Sequence, residues 1–306
     1  MKKLTRALNG FEGYYYPCQS YSDCAVIVVG WAGSNEKMCK IQASVYMEAG
    51  FSVLTVGMYG WKGMSKILKS VPVEYIENAV EWLKSHGKTK IAMAGISTGA
   101  GYTLLSASLI ADISAVIAVS PFDYVMEACI PPKYSSKEFK TFGSSVYTWR
   151  GKDVSFSRWT ISDNYFDNVK KCFKNDEYGK KRLIRYIYDN NEILSESRIK
   201  IEDMHARALL LAADNDDMWP SEQTVCRAKQ IFESNNYQYK VNTHIYPKAS
   251  HILGVSFSKY PRIMKFFVSV ILRKSILAEC MYPSECDTAR EDSVEKIKSF
   301  LEDWAV

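Results

Sequence analysis

A serine between two glycines is the feature of this sequence that most strongly indicates chemistry. Residues 95–99 read Gly-Ile-Ser-Thr-Gly, after an apolar run at 91–94 and before a stretch of helical character at 100–111. A sharp strand-to-helix turn strains the backbone of its serine and needs small residues two positions away on either side. The motif alone arises by chance in many chains, and the flanking strand and small residues give it weight. We predict that Ser97 is a nucleophile presented at a sheet edge.

A serine hydroxyl becomes a nucleophile only when a base removes its proton and a third group orients that base. In the order serine, acid, histidine, each group follows a strand. Asp216 follows a predicted strand at 206–212, and His251 follows another at 240–246. We predict Asp216 as the acid because the acid usually lies three residues after the small residue that ends the strand, here Ala213. Asp217 is the first alternative, followed by Asp214 and Asp123.

Only four histidines are available as the base. His86 falls at a helix end, His205 in a charged loop before a strand, and His244 inside a strand. His251 alone follows a strand end in a short loop, so we predict it as the base; the competing interpretation is a loop histidine bonded to backbone. The aspartates not used as the acid are expected to cap the helix that begins at Ser221 or to remain solvated.

Cleavage of an acyl bond also needs an oxyanion hole, in which backbone N–H groups stabilise the developing negative charge. Loss of one such donor costs about 2.7–4 kcal/mol. We predict that one N–H belongs to Thr98, directly after the serine. The second is assigned to Trp31, in the loop after a predicted strand at 24–29.

The elements that must position these residues alternate between strand and helix, which predicts an α/β fold with a mainly parallel sheet covered on both faces. The predicted core spans 1–120 and 204–306. Its strands are predicted at 24–29, 51–56, 90–94, 113–119, 206–212 and 240–246, and its helices at 37–49, 72–87, 100–111, 221–233, 260–275 and 290–304.

Between the two parts of the core, residues 121–203 are irregular in pattern and predict a lid inserted after the sixth strand, or alternatively extra helices on the flank. A basic cluster could attract phosphate groups such as those of coenzyme A, or could be a solvated helix face. It comprises Lys170, Lys171, Lys174, Lys180, Lys181, Arg182 and Arg185. Aromatic residues of the insertion could line an acyl pocket or attach the lid to the sheet.

Composition sets the remaining expectations. The chain has 306 residues, 47% hydrophobic residues and a net charge of +5, which are ordinary values for a globular protein and indicate no nucleic-acid partner. The sequence has no apolar signal region and no run of about 20 apolar residues, so we expect a cytoplasmic protein without a membrane span. The sequence has eight cysteines, and the intervals between them do not match those of metal-ligand motifs. We therefore expect free thiols, no metal and no cofactor.

Several stretches resemble the α/β-hydrolase superfamily, and within it the C-terminal catalytic domain of the acyl-CoA thioesterase and bile-acid-CoA:amino-acid N-acyltransferase family. The resemblance rests on residues 72–83, 198–203, 214–221 and 246–251 and covers most of 20–302, although the insertion matches poorly. It implies an α/β-hydrolase fold with Ser97, Asp216 and His251 as the triad. Because the acyltransferase branch uses cysteine, a serine favours hydrolysis.

The sequence departs from the family at two points. The two-domain thioesterases carry an N-terminal β-sandwich that has no counterpart in this sequence, and Thr98 replaces a lysine that often follows the nucleophile. Acyl-CoA is therefore one candidate among ester, thioester and amide substrates. We predict a serine hydrolase acting on a small acyl ester or thioester; acyl transfer, amide or peptide hydrolysis and simple ligand binding are the alternatives.

Overall fold

The computed structural model describes residues 1–130, 140–160, 171, 182–257 and 261–306. The strands are β1 (Lys2–Leu4), β2 (Gly13–Tyr16), β3 (Cys24–Val29), β4 (Ser52–Val56), β5 (Val71–Pro72), β6 (Lys90–Ile96), β7 (Ala115–Val119), β8 (Glu127–Ile130), β9 (Lys140–Ser145), β10 (Tyr147–Trp149), β11 (Lys152–Asp153), β12 (Arg207–Ala213) and β13 (Val241–Tyr246).

The helices are α1 (Arg6–Asn9), α2 (Glu36–Glu48), α3 (Glu74–Ser85), α4 (Thr98–Leu109), α5 (Leu183–Asp189), α6 (Ser221–Ser234), α7 (Arg262–Ser275), α8 (Leu277–Met281) and α9 (Pro283–Ala305), with short 3-10 turns at Ser195–Ser197 and Ile201–Asp203. Within the described ranges, no helix combines the length and the apolar character that crossing a bilayer requires.

Eight strands form the central sheet, in the order β1-β2-β4-β3-β6-β7-β12-β13. The six strands from β4 to β13 run parallel, and β2 pairs antiparallel with both β1 and β4. The predicted parallel core is confirmed, and the two N-terminal strands extend it at one edge. The sequence analysis missed them because β1 is short and lysine-rich and β2 opens on a glycine, which obscures the apolar signal of a strand.

Helices cover both faces of the sheet, as predicted. Alternate residues of β3 contribute to two hydrophobic cores, because successive side chains of a strand point to opposite faces. Ile27 lies in the core formed with α3, α4 and α6, while Val28 lies in the core formed with α2 and α9. Five of the six parallel strands are buried on both sides and β13 forms the half-exposed edge, so the carboxyl ends of the inner strands form a sheltered region where loops can place side chains.

Most helix boundaries differ from the prediction by one or two residues, and the starts of α4 and α9 are the two differences that bear on the site and the core. α4 begins at Thr98 rather than at residue 100, so the helix starts directly after Ser97. α9 begins at Pro283 rather than at residue 290, because proline is favoured at the first helical position and Cys286 and Ala289 are buried against the sheet. The early start of α4 brings its free N–H groups next to the serine.

The described part of residues 121–203 contains more regular structure than the irregular sequence predicted. β8 pairs with β9, and β10 pairs with β11 and with β5, which precedes the insertion in the chain. The Tyr147 hydroxyl on β10 donates to the Thr98 carbonyl oxygen at 3.0 Å. These short strands escaped prediction because each is only two to six residues long, and because β10 also pairs with the distant strand β5.

The turn around Ser97 depends on its glycines, as the motif predicts. A Cβ atom on Gly95 would lie 2.1 Å from the Gly99 carbonyl oxygen, and one on Gly99 would lie 2.5 Å from the Gly30 carbonyl oxygen. Both obstacles are backbone atoms, which cannot rotate away as a side chain can.

We expect Gly95→Ala to lower the free energy of unfolding by about 1–3 kcal/mol or more, because overpacking against backbone must shift the strand or the helix. Urea denaturation followed by circular dichroism measures this change. Wild-type stability in Gly95→Ala would contradict the packing described for this turn.

Candidate active site

Ser97 occupies a strained turn at the carboxyl end of β6. Its backbone dihedral angles are φ 61° and ψ −126°, and its side chain is buried. A positive φ is uncommon for a residue with a Cβ atom and persists only where the surrounding structure enforces it. The Ser97 N–H donates to the Val119 carbonyl oxygen at the end of β7, at 2.9 Å. The turn thus holds the serine in the sheltered region at the carboxyl ends of the inner strands.

Asp216 and His251 form a buried pair. His251 Nδ1 lies 2.8 Å from both carboxylate oxygens of Asp216, and both side chains are almost fully buried. The His251 Nε2 atom is buried and has no hydrogen-bond partner among the described residues. Because the carboxylate engages Nδ1, the opposite nitrogen is free to exchange a proton with a reacting group.

Further hydrogen bonds fix the Asp216 carboxylate. Its Oδ1 accepts from the Met218 N–H at 2.9 Å and from the Trp219 N–H at 3.3 Å, and its Oδ2 accepts from the Ser221 hydroxyl at 2.6 Å. The Arg185 guanidinium donates to the Asp216 carbonyl oxygen at 2.9 Å. These contacts stabilise the ionised carboxylate and its orientation toward the imidazole.

The strand ends bring the histidine loop and the serine turn to the same region. The Ser120 hydroxyl, directly after β7, donates to the His251 carbonyl oxygen at 2.8 Å. Val119, the neighbouring residue, accepts the Ser97 N–H. The end of β7, which lies beside β6, therefore links the loop of His251 to the turn of Ser97.

The alternative acids have other partners. Asp217 Oδ2 accepts from the N–H groups of Leu277 and Ala278, at 2.7 and 3.3 Å, so Asp217 caps α8 instead of the Ser221 helix. Asp214 accepts from the Lys248 N–H at 2.7 Å. The expectation that these residues cap α6 or stay solvated is wrong for Asp217, which is buried because α8 packs over it.

Asp123, the acid candidate that follows another strand, is also buried, and its carboxylate accepts hydrogen bonds from other residues. Its carboxylate accepts from the Thr224 hydroxyl at 3.0 Å and from Arg227 Nε at 3.0 Å. This group is an internal ion pair that fastens α6 to the loop after β7.

The other histidines are placed as the sequence indicated. His86 ends α3 and stacks on Trp82, and His205 is exposed beside Tyr239. His244 lies within β13, where burial is the main cause that lowers its pKa. Among the four, the structure pairs His251 with a buried carboxylate.

The proposed oxyanion donors lie on two neighbouring loops. Thr98 is the first residue of α4, where backbone N–H groups have no intrahelical acceptor. In the loop after β3, the Trp31 carbonyl oxygen accepts from the Ser34 N–H at 3.0 Å, and the Gly33 N–H donates to the Tyr59 hydroxyl at 2.6 Å. The Gly33 N–H is thereby engaged, and the assignment of Trp31 stays a prediction.

A cavity of about 610 Å³ adjoins the serine turn. Ser97 and Thr98 line it together with Ala32 and Gly33 of the loop after β3. The rest of its wall is mainly aliphatic and aromatic and includes Phe122, Met126, Tyr147, Trp159, Tyr188 and Trp219. Ligand sites have this size and apolar character, with a few polar groups that orient the ligand.

Described residues of the insertion form a large part of this wall. Tyr147 and Trp159, two of the aromatics that the sequence singled out, line the cavity, whereas Tyr134, Phe139, Tyr165 and Phe166 lie outside the described residues. Cys129 also lines it, but burial raises the pKa of its thiol to about 12, which leaves it a poor nucleophile near neutral pH.

Trp219 is a functional candidate that sequence reasoning missed. Its indole N–H donates to the Ser120 carbonyl oxygen at 3.0 Å, and its ring meets the His251 ring edge-on with centroids 5.1 Å apart. It also lines the cavity, so one side chain contacts both the histidine and the cavity. Its place three residues after Asp216 was the available signal, together with the preference of large aromatics for pocket walls.

The basic cluster of the insertion is only partly described. Arg185 is buried and pairs with Glu222 at 2.9 Å, and Arg182 lies 3.5 Å from Asp217. These two cations therefore hold the fold together around the acid loop. Lys171 is exposed, and Lys170, Lys174, Lys180 and Lys181 lie outside the described residues.

The cysteines and potential metal ligands give no second site. Seven cysteines are free thiols within the described ranges, and Cys172 lies outside them. In the same ranges, no group of three or more His, Cys, Asp or Glu side chains is arranged to hold a metal ion.

Comparison with known proteins places this geometry in a family. The family model described as BAAT / Acyl-CoA thioester hydrolase C terminal matches residues 71–302, which is more than half of the chain. The chain belongs to this family. Ser97, Asp216 and His251 all lie within the matched region. The family model therefore includes both the Asp216–His251 pair and the turn at Ser97.

Individual relatives share limited sequence identity with this chain. Human acyl-coenzyme A thioesterase 6 is 30% identical over 96 residues, which are 30% of this chain and 23% of the relative. The mouse peroxisomal succinyl-coenzyme A thioesterase is 29% identical over 188 residues, which are 60% of this chain and 39% of the relative. The chain thus matches between about a quarter and two fifths of the length of these relatives.

Solved structures confirm the fold. A Mycobacterium tuberculosis puromycin-hydrolyzing peptidase superposes with a TM-score of 0.50 at 14% sequence identity, covering 80% of this chain and 34% of that chain. At this identity the likeness concerns the fold alone. With the strand order of the central sheet, it confirms the α/β-hydrolase fold that the sequence predicted.

Proposed function

We propose that this chain is a serine hydrolase that cleaves an acyl ester or thioester through an acyl-enzyme on Ser97. The observation that carries the proposal is the buried pair of Asp216 and His251, with 2.8 Å from Nδ1 to each carboxylate oxygen and with Nε2 lacking a partner among the described residues. The strained turn at Ser97 and the family membership support it. A buried imidazole oriented in this way has the form of a general base.

The reaction proceeds in two halves. His251 Nε2 accepts the proton of the Ser97 hydroxyl while the oxygen attacks the acyl carbonyl, and the N–H groups of Thr98 and Trp31 stabilise the oxyanion. When the tetrahedral intermediate collapses, the imidazolium returns the proton to the departing alcohol or thiol. Water then attacks the acyl-enzyme with His251 again as the base, which releases the carboxylic acid and restores the serine.

The acyl group occupies the cavity beside Ser97. The wall is mainly aromatic and aliphatic, which favours an apolar acyl portion, and Lys66 and Glu127 are the charged residues that also line it. Relatives named as acyl-coenzyme A thioesterases make a thioester the favoured bond, and a simple carboxylic ester is the second candidate. The cytoplasm remains the proposed location.

A substrate panel tests this function. We expect the full chain to release thiol from acyl-CoAs of at least one chain length or to hydrolyse p-nitrophenyl esters, with both activities absent in Ser97→Ala. The preferred acyl length reports which acyl chains the cavity accepts. A preference for p-nitrophenyl esters over every acyl-CoA would indicate that the substrate is an ester and not a thioester. Transfer to an added amine in preference to water would indicate an acyltransferase.

Calorimetric binding of acyl-CoAs and esters tests the alternative that the chain binds these compounds without cleaving them. If acyl-CoAs and esters bind to the wild type by calorimetry but neither is turned over, the chain is a ligand-binding protein with a hydrolase fold, and the proposed function is wrong.

A further inference from the structure

The helix α7 (Arg262–Ser275) exposes an unusual amount of apolar surface. Its sequence is RIMKFFVSVILRKS, and none of its residues is buried. The exposed fractions of four large side chains are 69% for Ile263, 65% for Phe266, 58% for Phe267 and 61% for Ile271. A surface helix of a globular protein normally turns such residues toward the core.

The largest apolar side chains of α7 face away from the protein. Its half-buried residues are Lys265, Val268, Ser269, Val270 and Leu272, and helical spacing places all of them except Val270 on one side. Phe266, Phe267 and the other exposed apolar residues lie on the remaining surface. The helix therefore faces the protein with a side of mixed polarity and presents an apolar side to the surroundings.

Charge identifies the surroundings that suit this helix. It carries four cations, Arg262, Lys265, Arg273 and Lys274, and no acidic residue. Helical spacing places Arg262 and Arg273 beside Phe266, at the border of the apolar side. A helix that lies in a membrane interface has this composition, with phenylalanine and aliphatic residues in the acyl boundary and basic side chains among anionic headgroups.

A second copy of the chain suits the helix less well. A two-fold contact between the exposed sides of two α7 helices would bring the exposed cations Arg262, Arg273 and Lys274 of both copies close together. A 14-residue helix is about 21 Å long and about 10 Å wide, so one side of it covers about 210 Å², which is small beside the roughly 800 Å² per partner of a standard stable interface. We propose that α7 docks the protein on the surface of an anionic phospholipid bilayer.

The position of α7 in the chain connects this surface to the candidate active site. α8 follows it directly, and the N–H groups of Leu277 and Ala278 donate to Asp217 next to the acid of the pair. The Ser250 hydroxyl, next to His251, donates to Glu279 of α8 at 2.5 Å. Docking through α7 thus holds the acid and histidine loops near the bilayer, where acyl compounds of low water solubility collect.

Vesicle co-sedimentation of the full chain tests the proposal independently of any hydrolytic activity. We expect binding to vesicles of phosphatidylcholine with phosphatidylserine, and little binding to phosphatidylcholine alone. Raising the salt from about 0.1 M to about 1 M is expected to weaken binding, because the screening length falls from about 10 Å to about 3 Å. The Arg262→Gln/Arg273→Gln double variant is expected to bind about tenfold more weakly.

The apolar contribution is tested with Phe266→Ser/Phe267→Ser, which is expected to bind at least about tenfold more weakly. Leu8→Ser is the matched control, since Leu8 is 85% exposed on α1 and should leave binding unchanged. Thermal unfolding by circular dichroism shows that each variant remains folded. Absence of vesicle binding, or binding that both double variants retain, overturns the proposal, as does a wild-type dimer that Phe266→Ser/Phe267→Ser converts to a monomer.

Discussion

Replacing Ser97 with alanine is expected to lower kcat by about 10⁶-fold, or to below detection, while the protein remains folded. The substitution removes the atom that forms the acyl-enzyme, and the remaining catalysis comes only from binding and from oxyanion stabilisation. Steady-state hydrolysis of the best substrate from the panel measures the loss. Unchanged thermal unfolding separates a chemical effect from a structural one.

Thr98→Ala is the matched control for this result. It removes the neighbouring hydroxyl, whose Oγ1 is buried without a partner among the described residues, and leaves the backbone N–H in place. We expect kcat within a few-fold of the wild type, since an N–H donor and not the side chain stabilises the oxyanion. Comparable activity in Ser97→Ala and Thr98→Ala would show that Ser97 is not the nucleophile.

Replacing Asp216 with asparagine is expected to lower kcat by about 10⁴-fold. The amide removes the negative charge that stabilises the imidazolium of His251 and no longer selects the tautomer with a proton on Nδ1. The Met218 N–H can still donate to the amide oxygen, and the Ser221 hydroxyl can rotate and accept from the amide nitrogen that replaces Oδ2. The effect should therefore appear in kcat at constant stability.

Asp217→Asn distinguishes the two neighbouring aspartates. An amide oxygen can still accept from the N–H groups of Leu277 and Ala278, so we expect kcat within a few-fold of the wild type. Burial raises the pKa of the Asp217 carboxyl, so its stabilising contribution is present at low pH and is lost as the pH rises through the raised value. The neutral amide should consequently cost little stability near pH 7. A loss of activity in Asp217→Asn with Asp216→Asn unaffected would reverse the assignment of the acid.

Much of the core could be predicted from the sequence because its strands are buried on both faces and read as continuous apolar runs. The predicted strand at 24–29 coincides with β3, and the predicted helix at 221–233 differs from α6 by one residue. Ser97 and Asp216 could be predicted for the same reason, since each follows the end of such a strand, whereas His251 follows the half-exposed edge strand β13. Glycines 95 and 99 added a steric signal that the backbone contacts explain.

Other features depend on contacts that sequence periodicity does not encode. The pairing of β5 with β10 joins residues about 75 positions apart, and it attaches the insertion to the core. Asp217 is an α8 cap only because α8 packs over the acid loop, so its sequence neighbours gave no indication of its partner. The helix at 260–275 was predicted as part of the core, and the exposure of its apolar side was not predicted. Periodicity shows that a helix is amphipathic, but it does not show which side contacts the protein.

Labelling with a fluorophosphonate probe tests most directly whether Ser97 is the nucleophile. The probe forms a covalent bond only with an activated serine, and peptide mass spectrometry locates the modified residue. The account predicts stoichiometric modification at Ser97, loss of hydrolysis in proportion to labelling, and no labelling of Ser97→Ala. Modification of another serine with the same loss of activity, or full hydrolytic activity in protein that the probe does not label, would contradict it.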